Sequence, residues 1–436
     1  MKITFIGTGY VGLVSGVMMS HLGHEVTCLD LDLNKILMLQ RKESPIFEPQ
    51  LAGYLEKYAN TERLKFVSDY NDSVADSDCV FITVGTPPLS TGDADLTGIY
   101  AALDICSYLK EHCIIVVKST VPPGTCRDIQ SYIYAKGYNN KVVSNPEFLR
   151  EGAAVGDFLK PDRIVIGSDV TDTYAIMRKI YKPITDNNVV IVETDLTTAE
   201  LIKYASNAFL ANKIAFINEM ADLCETLEAD VDTLANGIGT DKRIGEGFLK
   251  VGPGFGGSCF PKDILALQKL AQKMDSDFLI LDAVIKSNNN RPKVMINKIK
   301  ECMGGALSGR RLAILGLTYK AGTDDLRNSP AIELINILQN EGADIVAYDP
   351  EGMRNVPKYF EKLECANSIM EAIHGVDGII IATEWNDFVE MDLSAIKPFL
   401  KRPLIIDLRN ILNAKQVVAE GFEYHSIGRA KNANLG

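Results

Sequence analysis

The apolar positions of this chain follow two rhythms. In the first, a short β-branched run leads through turn residues into apolar positions at helical spacing. Ile3–Ile6 is such a run, Val11–Leu22 reads as the helix that follows, and Glu25–Leu29 as the next strand. Cys79–Val84, Ile114–Lys118 and Lys141–Ser144 repeat the scheme, and Arg163–Gly167 and Val189–Val192 add strands at the edge. Continuous apolar strands alternating with helices predict a parallel sheet covered on both faces.

The second rhythm is purely helical. Leu201, Tyr204, Ala208, Ala211, Ala215, Met220, Leu223 and Leu227 recur with few breakers from about Leu196 to Leu227. They predict one helix of roughly 45 Å. A second helical stretch runs from Pro261 to about Met303, with a break expected around Met274–Asp277. After Gly309 the first rhythm returns, with strands at Leu312–Leu315, Asp344–Ala347, Gly378–Ala382 and Leu404–Asp407. KITFIGTGYVG…VTCLDLD near the start is echoed by RLAILGLTYKAG…IVAYDP near residue 311. The expected fold is therefore α/β: two Rossmann-like, doubly wound parallel-sheet domains joined by a long central helix and a helical dimerisation region. The expected domains are residues 1–195, 196–305 and 306–436.

Composition narrows the function. The 436 residues are 46% apolar and 23% charged, as in ordinary globular proteins. A balance of 45 basic against 57 acidic residues gives −12. That argues against nucleic-acid or anionic-membrane partners, although a few lysines and backbone amides can still hold a small anion. Nine cysteines without a CxxC pair do not form a secreted disulfide framework, and the five histidines lack zinc-ligand spacing, so no metal is expected. The start lacks a leader pattern and no long apolar run appears, so the protein is expected to be cytoplasmic.

Gly7, Gly9 and Gly12 form GxGxxG between a predicted strand and a predicted helix. Such glycines permit a tight turn, close backbone approach to a pyrophosphate and close helix packing. Asp30, 18 residues after Gly12, ends the second strand. A carboxylate there accepts from ribose hydroxyls and repels a 2′-phosphate; with no arginine close behind it, NAD is favoured over NADP. Lys35 is expected over the adenosine end. Thr86 and Thr120 lie in loops leaving the carboxyl ends of later strands, where ligands bind such sheets, though Val84–Pro88 and Ser119–Gly124 are also ordinary turn chemistry.

Gly252–Asp263 (GPGFGGSCFPKD) is the most informative segment. Its glycines allow close backbone approach, and Pro261 can open a helix with Cys259 at its N-terminus, where a thiolate is stabilised. Lys262 adds charge, and Asp263 follows Cys259 by one turn. The other eight cysteines read as small core hydrophobes. Lys203 and Asn207 share a face of the long helix at i, i+4, though a lysine there is commonly solvated. Glu147 and Glu151 are likewise four apart, and carboxylates at such a turn often serve only as helix-start charges.

Taken together, GTGYVG, KSTVPPGT, NPEFLREG, FLKVGPGFGGSCFPKD and GLTYKAGTDDLRNSPA resemble the UDP-glucose/GDP-mannose dehydrogenase family over essentially the whole chain. The FPKD after Cys259 points to the UDP-glucose branch; GDP-mannose or UDP-N-acetylhexosamine is the alternative substrate. The resemblance implies an NAD-dependent enzyme that oxidises the glucose primary alcohol of UDP-glucose twice, yielding UDP-glucuronate. Cys259 would form a thiohemiacetal and then a thioester. Lys203 and Asn207 would stabilise the developing oxyanion, Thr120 and Asp263 would hold a water that acts as base, and Glu147 would activate the hydrolytic water. Gly7, Gly9, Tyr10, Val11, Gly12, Asp30, Lys35, Thr86, Thr120, Glu151, Lys262 and Arg327 would contact NAD. The sugar nucleotide would meet Glu147, Phe148, Leu149, Arg150, Glu151, Lys203, Asn207, Phe248, Leu249, Lys250, Val251, Gly252, Gly256 and Lys320. Arg243 would reach the UDP of a neighbouring subunit, which implies a homodimer. The segment Gly316–Lys320 lacks the third motif glycine, because Ala321 precedes Gly322, and reads as a UDP site.

Overall fold

The computed structural model describes residues 1–70, 72–186 and 188–429. Parts of the expected domains at 71, 187 and 430–436 lie outside the described residues. The chain divides into two compact units, Met1–Ser206 with Leu265–Lys273, and Asn207–Ile264 with Met274–Gly436.

The first unit is built on eight strands: β1 (Lys2–Ile6), β2 (Glu25–Leu29), β3 (Leu64–Val67), β4 (Cys79–Ile82), β5 (Ile114–Val117), β6 (Val142–Ser144), β7 (Arg163–Gly167) and β8 (Val190–Thr194). Their order is β3-β2-β1-β4-β5-β6-β7-β8. Its first six positions follow the 3-2-1-4-5-6 order of dinucleotide-binding sheets. The apolar runs are continuous because both faces are covered. Cys79 and Phe81 of β4 enter one core, Val80 and Ile82 the other. Phe5 and Phe81 stack at 4.8 Å between adjacent strands. One pairing departs from the expected parallel sheet: β6 meets β7 antiparallel through Ser144 and Gly167, after which β7 and β8 are parallel. Strand β3 escaped the sequence reading because its alternate residues are exposed, leaving no continuous apolar run.

The second unit carries β9 (Arg311–Leu315), β10 (Asp344–Tyr348), β11 (Glu364–Cys365), β12 (Gly378–Ile381), β13 (Leu404–Asp407) and β14 (Glu423–Ser426). Every pairing is parallel, in the order β11-β10-β9-β12-β13-β14. It is again 3-2-1-4-5-6, so the sequence echo is an echo of topology. Ile405 faces one core while Leu404 and Ile406 face the other.

The helical rhythm is realised as Leu196–Leu227, 32 residues without interruption. The later stretch forms Phe260–Lys273 and Leu279–Cys302, separated at the expected break. Of the nine cysteines, seven are buried and two, Cys259 and Cys365, are exposed. Cys365 corrects the expectation of eight core cysteines: it is exposed, because β11 is a two-residue edge strand. Among the described residues no helix is long and apolar enough to cross a membrane.

Candidate active site

In the first unit the glycine turn is tight, packed on one side and open on the other. Gly7 adopts φ +95°, which demands a residue without Cβ. A Cβ on Gly12 would lie 1.9 Å from the Gly7 carbonyl oxygen, so this glycine serves packing. A Cβ on Gly9 would meet nothing within 4 Å, leaving that side of the turn open. The helix Tyr10–His21 starts at once, directing its first amides, Val11 included, toward the turn. Asp30 Oδ2 accepts from Thr8 N and Thr8 Oγ1, both at 2.7 Å, and Oδ1 accepts from Asp32 N at 2.9 Å. Burial pushes the Asp30 carboxyl up, but these bonds, with Lys35 nearby, hold it below its ordinary value. Lys35 Nζ lies 3.9 Å from Asp30, and its side chain is well exposed. Thr86 is buried and donates to the Thr120 carbonyl at 2.8 Å, which brings those two loops together.

Lys203 overturns the ordinary reading of a helix lysine, since it is 4% exposed. Its Nζ donates to the Glu147 carbonyl at 2.6 Å and to Glu147 Oε1 at 3.0 Å. Glu147 Oε2 accepts from Leu149 N. Glu147 and Glu151 stand in the loop between β6 and a helix that starts only at Ala154, so neither is a helix-start charge. Phe148 lies under the Arg163 guanidinium at 3.6 Å, with Lys203 Nζ 5.3 Å from the same ring. Arg150 is tied to Asp157 through its backbone and its guanidinium.

In the second unit Asp263 is 1% exposed. It accepts from Asn207 Nδ2 and Lys262 Nζ, each at 2.6 Å. The charge of Lys262 is thus engaged by its neighbour. Cys259 directly precedes Phe260, the first helical residue, and its carbonyl accepts from Asp263 N at 2.9 Å. Its Sγ lies 3.5 Å from Ser258 Oγ. Cys259 is exposed while Asp263 is buried, although one turn separates them.

The glycine loop before Cys259 is clamped at both ends. Gly252 N donates to Asn218 Oδ1 and Gly252 O accepts from Arg291 Nε, while Asn288 pairs with both N and O of Phe255. A Cβ on Gly256 would lie 2.1 Å from the Asn328 carbonyl. Phe248 has φ +66°, a strained value for a phenylalanine, beside buried Leu249 and Val251 and exposed Lys250. Lys320 lies 5.6 Å from the Tyr319 ring, and Arg327 bonds Asp325. Arg243 pairs with Asp241, and its side chain is 89% exposed.

Residues 1–185 match the NAD binding domain of the UDP-glucose/GDP-mannose dehydrogenase family, 197–290 its central domain and 313–414 its UDP binding domain. The chain belongs to the UDP-glucose/GDP-mannose dehydrogenase family. A UDP-glucose 6-dehydrogenase of Rickettsia bellii is 54% identical over 98% of this chain and 99% of its own. A UDP-glucose dehydrogenase structure from Pyrobaculum islandicum aligns with TM-score 0.90 at 34% identity, covering 98% of both chains. A UDP-D-ManNAc dehydrogenase from Pyrococcus horikoshii aligns at 0.86 and 27%, covering 98% of this chain and 99% of the other.

Within this dehydrogenase frame the sequence reading passed over several residues. Glu200, one turn before Lys203, accepts from Gly124 N at 2.6 Å and Cys126 N at 2.7 Å, capping the helix after the Thr120 loop. Its i, i+3, i+7 spacing with Lys203 and Asn207 was a usable signal. Glu48 accepts from Gly152 N, Ala154 N and the Tyr10 hydroxyl, joining the dinucleotide helix to the loop after Glu151. Arg409 donates to the Tyr319 carbonyl at 3.0 Å, pairs with Glu384 and packs against Gly252. No local motif marked Glu48 or Arg409, because their partners are remote in sequence.

Proposed function

We propose that this chain catalyses the two-step oxidation of UDP-glucose to UDP-glucuronate with NAD, holding the intermediate on Cys259. One observation carries it. A buried Lys203–Glu147 pair and a buried Asn207–Asp263 pair stem from successive turns of one helix, and Asp263 lies one turn after an exposed thiol. The high identity to UDP-glucose enzymes favours that sugar over GDP-mannose or a UDP-N-acetylhexosamine.

Bound NAD would accept a hydride at each oxidation. The Gly7–Gly12 turn with Tyr10 and Val11, Asp30, Lys35, Thr86, Thr120, Glu151, Lys262 and Arg327 are proposed to hold it. The open side of Gly9 and the bonded carboxylate of Asp30 fit its pyrophosphate and ribose. As the alcohol is oxidised, a water on Thr120 and Asp263 would take the hydroxyl proton. Lys203 would stabilise the developing negative oxygen by charge. Asn207 gives one amide hydrogen to Asp263 and has a second for that oxygen. The Cys259 thiolate would then add to the aldehyde carbon, forming a C–S bond and a thiohemiacetal. Loss of hydride from that carbon leaves a thioester. Water deprotonated near Glu147 would cleave the C–S bond, releasing the carboxylate and restoring the thiol.

Phe148–Glu151, Phe248–Gly252, Gly256 and Lys320 are proposed to line the sugar nucleotide, with Arg409 as a further cation for its diphosphate. The division into 1–195, 196–305 and 306–436 belongs to the same proposal. So does a homodimer in which Arg243 serves the neighbouring subunit. Exposed Phe209, Phe216, Leu223 and Leu227 along the long helix support that assembly, as does the exposure of Arg243. The seven buried thiols support a reducing, cytoplasmic setting.

Following NADH while UDP-glucose is consumed tests the reaction. Two NADH per sugar are expected; one, or none, overturns the double oxidation. Cys259→Ser should stall before hydrolysis, and wild-type turnover by that protein would exclude the covalent path.

A further inference from the structure

The turn Asn145-Pro146-Glu147 stands between two buried ammonium groups. On one side Lys203 donates to the carbonyl and the carboxylate of Glu147. On the other is Lys118 at the end of β5, 5% exposed and unused in the reaction above. Its Nζ lies 3.2 Å from Asn145 Oδ1, 3.5 Å from the Asn145 carbonyl and 3.4 Å from the Tyr181 hydroxyl. Tyr181 also donates to Asn145 Oδ1 at 2.5 Å, and Asn145 Nδ2 donates to the Val165 carbonyl at 2.7 Å. Asn145 is therefore fixed by β5, β7 and the helix Asp172–Thr185 together.

The bonded partners of Lys118 are neutral oxygens. The charged groups that act on it are Glu147, which favours its ammonium, and Lys203, which opposes it; Tyr181 faces it from the helix, with Cys79 of β4 beyond. Lys118 and Lys203 thus both act on the Glu147 carboxylate. Buried positive charge there favours negative charge developing nearby.

We propose that Lys118 is a positioning residue for the oxidation site: it holds the Asn145–Glu147 turn from the strand side and adds positive potential to the Lys203–Glu147 pair. The proposal rests on the reaction assigned above, and it adds a group whose charge state changes in the working range. Burial, more than the opposing Lys203 charge, pulls the Lys118 ammonium down to about 8, against the pull of Glu147. Below that pH the group is charged, and above it the extra potential is gone.

Lys118→Met should lower kcat at pH 7 by about tenfold, with KM for UDP-glucose and NAD within about twofold. Wild-type kcat should fall through an inflection near pH 8 that Lys118→Met lacks. Tyr181→Phe, which keeps the ammonium, should retain that inflection while melting earlier. A Lys118→Met profile with the wild-type inflection, or an unchanged kcat, would overturn the proposal.

If Lys118→Met does not fold, lysine side-chain NMR on the substrate-free enzyme decides. One lysine should titrate near pH 8, and its midpoint should rise in Lys203→Met, where the opposing charge is removed. Overturning results are that every lysine titrates near about 10.4, or that the midpoint stays fixed in Lys203→Met. NADH yield reads the reaction and the spectrum reads the lysine pair, so failure of one is not mistaken for failure of the other.

Discussion

The two glycine turns of this chain start alike and end in different chemistry. Each follows the first strand of a 3-2-1-4-5-6 sheet, and each opens on a glycine with positive φ, +95° at Gly7 and +98° at Gly316. Each has a carboxylate at the end of the next strand and a threonine beyond the fourth, Thr83 and Thr383, bonded to the turn's carbonyls. They diverge at the second motif position. Gly9 leaves its side of the first turn open, whereas Thr318 fills that place and bonds Asp349 through both N and Oγ1. Asp349 also accepts from Leu317 N, Glu351 N, Gly352 N and Trp385 Nε1, and it is fully buried. A carboxylate has about four lone-pair sites, so nothing remains for a ribose. Asp30 accepts fewer bonds and keeps capacity. The helix follows Gly9 at once but waits until Pro330 in the second unit. One topology therefore yields a turn whose carboxylate keeps bonding capacity and another whose carboxylate is saturated by its own protein.

The sharpest way to break this comparison is to exchange the third positions. Gly12→Ala would force a Cβ against backbone and should cost about 3 kcal/mol. NAD binding should weaken by more than about a hundredfold. The mirror change Ala321→Gly should cost only about 0.5–1 kcal/mol. Thermal unfolding with NAD titration checks both, and equal effects would remove the distinction.

The carboxylates come next. Asp349→Asn should destabilise by about 2–4 kcal/mol, because it disrupts a buried network of donors. Asp30→Asn should act chiefly on NAD, raising Kd about tenfold, with a smaller loss of stability than Asp349→Asn. The acid side separates them further. The Asp30 carboxyl is held below its unfolded value, so its contribution is full above about pH 4 and is lost as pH falls through the folded value. The stability gap between wild type and Asp30→Asn should therefore close on acidification below pH 4, and a gap that widens would contradict the bonding described.

Much of this was legible in the sequence, for identifiable reasons. Strands buried on both faces announce themselves as continuous apolar runs, so β4, β5, β12 and β13 could be read directly. Edge strands β3, β11 and β14 carry exposed residues and could not. Lys203 and Asn207 were visible through helical spacing, but nothing local said that Lys203 is buried; that follows from a partner 56 residues away. Lys118 was hidden more deeply, since it directly follows an apolar strand and its bonded partners, Asn145 and Tyr181, lie 27 and 63 residues away. The saturation of Asp349 likewise depends on Trp385, 36 residues on.

Lys35 and Arg354 give the gentlest test of the same contrast, since each stands five residues after its carboxylate. Arg354 turns away from Asp349 and pairs with Asp324 at 2.6 Å. Lys35 stays 3.9 Å from Asp30, a distance that serves attraction more than hydrogen bonding. Its side chain is 40% exposed, so solvent screens it and the pair contributes little to folding. Its value should appear when an anionic cofactor arrives. Lys35→Ala is therefore expected to leave melting unchanged and to raise the NAD Kd about twofold to threefold, an effect that added salt diminishes. Arg354→Ala should leave NAD binding untouched, because its carboxylate partner Asp324 is not among the residues proposed to hold NAD. A salt-independent loss of tenfold or more in Lys35→Ala would instead place that lysine in direct, desolvated contact with the cofactor.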